Sequence, residues 1–134
     1  MPLTITETLS AGSLLLRELP YHRAPMKGDV QQLDGLRAQL RSHEQDLYLE
    51  FLRVESLSAG LYSLPAGAGD PQEPHNEDEV YYVISGRAAI DIDGDLRPVR
   101  SGSIIFVGKR VQHRFVDIEE DLEVLVLFAP AETE

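Results

Sequence analysis

From Asp46 onward the chain alternates apolar and polar residues in short runs. Leu47, Leu49 and Phe51 interleave with Tyr48, Glu50 and Leu52, and a second run, Leu61 to Leu64, follows a Ser-Ala-Gly break and stops at Pro65. Later runs cover 80–84, 87–92, 96–100, 104–107, 111–118 and 122–128, each rich in β-branched or aromatic residues. Turn signals separate them: Ser85-Gly86, Asp93-Gly94, Ser101-Gly102, Gly108-Lys109-Arg110 and the acidic residues 119–121. Asp93-Gly94 tolerates positive φ and suits a two-residue hairpin. About eight closely spaced strands are the pattern of an antiparallel barrel or jelly roll, so the expected class is all-β.

Upstream the period changes. Val30, Leu33, Leu36 and Leu40 fall three or four residues apart, which predicts one amphipathic helix of about three turns with Asp29 as its N-cap. Gly35 weakens it by roughly 1 kcal/mol relative to Ala. His43, just past its end, reads as solvated or as a charge at the helix C-terminus. Residues 1–28 mix Leu14–Leu16 with Pro20, Pro25 and Gly28, an arm that adds an edge strand or crosses to a neighbouring subunit. The expected layout is arm and short helix over 1–46, packed on or across a barrel at 47–130, and a tail at 131–134.

A length of 134 residues suits one domain, and 43% hydrophobic residues can fill one core. With 23 acidic against 12 basic residues the formal net charge is −11, which opposes binding to nucleic acid or an anionic membrane. There is no cysteine, so disulfides, thiolate metal sites and cysteine nucleophiles are excluded. The first residues lack a basic start and a long apolar run, and no stretch approaches the roughly 18 apolar residues of a membrane span, so the expected address is cytoplasmic.

Candidate chemistry lies in two stretches. Within Gly67–Gly86, Glu73, His75 and Glu79 share one parity and would project from one side of extended backbone, an imidazole between carboxylates. Within 102–117, His113 stands between Val111 and Phe115 and could bring a second imidazole to that face. The plainer readings are a solvated acidic loop at Glu73, Glu77, Asp78 and Glu79 and a satisfied core histidine at 113. Glu77 and Asp78 are expected in solvent, Tyr81 and Phe115 facing inward, and His22 and His43 on the surface.

The two stretches resemble the motifs of the cupins. Gly67, five residues, Glu73-Pro74-His75, three residues, Glu79, six residues and Gly86 reproduce the first motif's spacing, with Glu73 in place of its first histidine. Gly102, Gly108, Arg110, His113 and Asp117 fall on the second motif, with Gly, Arg and Asp where the family has Pro, Gly and Asn. The resemblance implies a double-stranded β-helix, the cupin jelly-roll barrel, holding one divalent transition metal through Glu73, His75, Glu79 and His113. Two carboxylates favour Fe(II) or Mn(II), with Zn or Ni as alternatives. If Glu73 turns aside, the other three still form a two-His, one-carboxylate set, and Gln72 or Glu77 could stand in as fourth ligand. Arg110 is then either an exposed loop cation or a mouth residue for a substrate carboxylate. The implied activity is a metal-dependent small-molecule enzyme of dioxygenase type, with an isomerase or lyase, or a non-catalytic small-molecule or sugar-binding barrel, as alternatives. Single-barrel members are commonly dimers, so the expected partners are a small molecule and a second copy of the chain.

Overall fold

A computed structural model describes residues 27–43 and 47–133. The expected arm, with Leu14–Leu16 and His22, lies outside the described residues over positions 1–26. Helix α1 (Leu33–Arg41) is followed by strands β1 (Tyr48–Val54), β2 (Leu57–Leu64), β3 (Asp78–Ile92), β4 (Asp95–Arg100), β5 (Ile104–Val107) and β6 (His113–Ala129). All pairings are antiparallel, in the order β1-β2-β6-β3-β4, with β5 also on β3. The first half of β3 pairs with β5 and its second half with β4, while β6 runs along its other edge throughout. Strands that share a partner along its length in this way roll the sheet into a double-stranded β-helix.

Two expected turns are absent. Ser85-Gly86 and residues 119–121 lie inside the long strands β3 and β6, so six strands stand among the described residues where about eight were expected. What the sequence signals there is a change of parity. Buried positions in β3 are Glu79, Tyr81 and Val83 before the irregularity and Ala88 and Ile90 after it; in β6 they are His113 and Phe115, then Ile118, Leu122, Val124, Val126 and Phe128. β-Bulges absorb the extra residues and turn the inward set from odd to even without ending the strand. Gly86 is required at this bend: its φ is 101°, and a Cβ would collide with the Asp121 carbonyl oxygen. Asp117 provides the corresponding left-handed step in β6 at φ 50°. Asp93-Gly94 forms the expected hairpin, joining Ile92 to Asp95 with both residues at positive φ.

The interior holds Tyr81, Phe115, Ile90, Leu122, Val124 and their neighbours. A smaller cluster lies outside the sheet, where Leu36 and Leu40 cover Leu61 with Leu33, Leu49 and Phe51 around them. Arg37 adds a two-point ion pair to Glu123 of β6, at 2.8 and 2.7 Å. The helix is shorter than expected, and Asp29 is not its cap. Asp29 instead accepts from the Val30 N–H and the Gln31 side chain, while the first helical bond runs from Leu36 N to Gln32 O. Only the leucines that reach β1 and β2 are held helical, and Val30 remains 81% exposed.

Candidate metal centre

Among the described residues, one group of three possible metal-binding side chains converges: His75, Glu79 and His113, with donor atoms all within 4.8 Å of one another. His75 comes from the loop before β3, Glu79 from the start of β3 and His113 from the start of β6. Two hydrogen bonds donated by main-chain N–H groups join the loop and the first residue of β3 to the turn that precedes His113. Arg110 N donates to the His75 carbonyl at 2.6 Å, and Lys109 N donates to Asp78 Oδ1 at 3.0 Å. Arg110, at φ 64°, is itself exposed, so its placement serves the turn through the main chain.

Each imidazole is oriented from its far side. His113 Nδ1 donates to the Val111 carbonyl at 2.9 Å, leaving Nε2 beside Glu79 Oε1 at 3.0 Å and the Tyr81 hydroxyl at 3.1 Å. His75 Nδ1 faces Glu132 Oε2 at 3.3 Å, its Nε2 faces Gln72 Oε1 at 3.3 Å, and its ring packs edge-on against Phe128. Carbonyl and carboxylate partners of this kind hold the proton on Nδ1 and, with a cation in place, let the other nitrogen present its lone pair.

Glu79 is 1% exposed and neither of its oxygens has a hydrogen-bond partner among the described residues. The 3.0 Å approach of His113 Nε2 has ion-pair distance without hydrogen-bond geometry. A buried carboxylate without donors costs several kcal/mol unless a cation or a proton accompanies it. The chemistry of the donor set therefore fits a divalent ion: two imidazole nitrogens and a carboxylate face one another, and the nearby Tyr81 proton goes to Gln72. Burial works against protonating His113, yet Glu79, the Val111 carbonyl and Asp70 outweigh it and raise its pKa above the usual 6.5. The hydrogen bond to Glu132 raises that of His75 in the same direction, against burial and with help from Glu79. Burial, then Glu79, pushes the Tyr81 phenol up, so it remains a hydrogen-bond donor.

The structure does not bring Glu73 into this group. It is exposed, at the rim of a cleft of ≈ 360 Å³ that also touches Gln72 and His113. Gln72 points inward instead, its Oε1 accepting from the Tyr81 hydroxyl at 2.9 Å. Glu77, expected in solvent, is 3% exposed, and its Oε2 accepts from the backbone and hydroxyl of Thr133. Asp78 is exposed as expected, and Tyr81 and Phe115 face inward.

Asp70 and Glu132 escaped the sequence reading. Asp70 is 7% exposed and accepts four hydrogen bonds, from Tyr62 Oη (2.5 Å), Gln72 N (3.2 Å), Gln72 Nε2 (2.9 Å) and Phe115 N (2.8 Å). Glu132 sits on a tail folded back over the barrel end, its N–H bound to Ser58 Oγ and its carbonyl to Arg53. Its side chain reaches a cavity of ≈ 140 Å³ that Tyr62, Val126 and Phe128 wall and that opens onto His75 and Glu79. An Asp in a Gly-rich run and a Glu in an acidic tail carry no local signal of this, because Phe115, which Asp70 meets, and Ser58 and His75, which Glu132 meets, are distant in sequence.

Comparison with known proteins agrees with this architecture. Residues 60–129 match a family described as a cupin domain. The chain is 48% identical over 102 residues to the "Uncharacterized protein SCO3923" of Streptomyces coelicolor, covering 76% of this chain and 96% of that one. Among solved structures, a cupin protein from Bacteroides fragilis is similar at TM-score 0.57 and 21% identity, covering 81% of this chain and 86% of its own. KdgF from Halomonas sp. is similar at TM-score 0.57 and 24% identity, covering 62% and 76%. At those identities the two structures speak for the fold alone. With the family match spanning more than half of the sequence, the chain belongs to the cupin family.

Proposed function

We propose that this cupin is a metal-dependent enzyme acting on a small molecule, a dioxygenase in its leading form, with a divalent cation held by His75, Glu79 and His113. The observation that carries the reading is the convergence of those three side chains around a buried carboxylate whose oxygens lack hydrogen-bond donors. When bound, the ion would supply Lewis acidity and, as Fe(II), the redox capacity that reaction with dioxygen requires; two imidazoles and one carboxylate with open positions are the donor set of such oxygenases. The protein's own contribution is to fix both imidazole tautomers through the Val111 carbonyl and Glu132. It also shields Glu79 from water. A cavity of ≈ 140 Å³ opens onto His75 and Glu79, and a cleft of ≈ 360 Å³ reaches His113 from the other side of Gln72, space that suits a small molecule.

Anaerobic loading of the full chain with Fe(II), metal quantitation and oxygen uptake with a panel of small dicarbonyl and catechol compounds test the reading. One equivalent of metal and substrate-dependent uptake support it. Ligand binding unchanged in EDTA sinks it in favour of a non-catalytic container. A second reading, isomerase or lyase chemistry on the same ion, draws support from Glu132, a carboxylate in the cavity wall outside the three-residue set that can move a proton. Product formation without oxygen uptake, lost in Glu132→Gln, separates it from the first.

The reading includes a cytoplasmic homodimer. What supports the dimer is an apolar stripe on neighbouring strands: Phe106 and Leu127 flank Val80, and Ile104 pairs with Tyr82, with exposures from 36% to 75%. Light scattering of the wild type and of Phe106→Glu checks it; a monomeric wild type at micromolar concentration removes the dimer from the reading.

A further inference from the structure

We infer that Gln72, and not Glu73, supplies a fourth donor to the cation, an amide oxygen, and that Asp70 is the residue positioning it; this rests on the metal-site reading above. Gln72 Oε1 lies 3.3 Å from His75 Nε2 and takes the Tyr81 hydroxyl proton at 2.9 Å, while that hydroxyl is 3.1 Å from His113 Nε2. The amide oxygen is therefore in contact with the ring of groups that includes both imidazoles. Glu73, one residue on, is exposed at the cleft rim, in a loop where Pro71 and Pro74 break the extended register that would have set it beside His75.

An amide can present either its oxygen or its nitrogen, and Asp70 decides which. A carboxylate only accepts, so Asp70 Oδ2 binds the nitrogen end of Gln72 at 2.9 Å and turns the oxygen end toward the imidazoles. Asp70 Oδ1 also takes the Gln72 backbone N–H at 3.2 Å, so main chain and side chain are tethered together. Asp70 is itself held by Tyr62 and by Phe115 N, and Phe115 stands two residues beyond His113 on the same inward face of β6. Through this chain of contacts, the strand carrying one imidazole sets the orientation of the amide opposite it. A neutral amide oxygen is a suitable donor to a hard divalent ion. Unlike a second carboxylate, it leaves the centre one formal positive charge.

The test is Co(II) titration of the full chain by calorimetry and visible absorption, in the wild type, Gln72→Leu, Glu73→Ala, Asp70→Asn, Gln72→Leu/Asp70→Asn and His113→Ala. Gln72→Leu is expected to weaken Co(II) binding by about ten- to hundredfold and to change the visible band, Glu73→Ala to leave both unchanged. Asp70→Asn is expected to weaken binding similarly, and the double variant to bind no more weakly than the weaker single, because Asp70 acts through Gln72. Additive losses in the double variant overturn the positioning role. Wild-type binding in Gln72→Leu, or weakened binding in Glu73→Ala, overturns the assignment of Gln72 while leaving the metal reading intact if His113→Ala no longer binds. A wild type that takes up no Co(II) ends both. Asp70→Asn also leaves Phe115 N facing an amide, so should it fail to fold, the position 72 and 73 variants decide the assignment.

Discussion

Two buried carboxylates lie at the same end of the barrel and could hardly be treated more differently. Asp70, in the loop after β2, receives four hydrogen bonds; Glu79, at the start of β3, receives none. Each charge-assisted bond to a carboxylate contributes roughly 1.5–3 kcal/mol, so Asp70 joins β2, the metal-side loop and β6 into one unit. Around Glu79 the neighbouring atoms are imidazole nitrogens and a tyrosine oxygen, groups that a cation reconciles and that hydrogen bonding alone does not. The contrast separates a carboxylate saturated with donors from one that is buried without any.

The comparison can be broken most directly at Asp70. Asp70→Ala should cost about 3–5 kcal/mol of folding free energy in denaturant titrations, since it strands the Phe115 and Gln72 donors; a loss under about 1 kcal/mol would reduce Asp70 to a bystander. Glu79→Gln should do the reverse. Metal affinity is expected to fall at least about a hundredfold, near 2.7 kcal/mol, while the metal-free protein stays within roughly 1 kcal/mol of wild type. Strong destabilisation of the metal-free variant would mean that Glu79 is a folding residue after all. Saturation with metal at a hundred times its Kd should stabilise the wild type by about 2.7 kcal/mol, reversibly with EDTA, and leave Glu79→Gln unmoved.

The smallest effect is a pH dependence. His75 and His113 have folded-state pKa values raised above 6.5, so in the metal-free protein each adds stability that is complete below that value and fades as pH rises through the folded pKa. Thermal unfolding in EDTA should therefore show stability declining from these two groups on the alkaline side of 6.5, with His113→Asn flattening the curve. A profile identical in wild type and variant would contradict the pairing of His113 with Glu79.

His75, Glu79 and His113 were legible in the sequence because their spacing survives translation into two strand starts tied back to back. Glu73 was read from the same parity rule, but Pro71 and Pro74 remove the extended register on which that rule depends, and Gln72 takes the inward place. Glu77 looked like part of a charge run, yet Thr133, far along the chain, receives it. The long strands taught the same lesson in the backbone. Ser85-Gly86 and residues 119–121 resemble turns locally, since a bulge and a turn use the same small and acidic residues; only the continuous pairing of β3 with β6 distinguishes them.

Alternation along the chain was enough to determine an antiparallel barrel with a short leucine-faced helix, because side-chain periodicity is a local property of extended and helical backbone. Which loop side chain faces the imidazoles, which buried carboxylate finds donors, and where a strand bends without stopping were decided only in three dimensions. Those outcomes depend on partners tens of residues away: Asp70 on Phe115, His75 on Glu132, Gly86 on Asp121. No pattern within a single stretch records the meeting of two stretches.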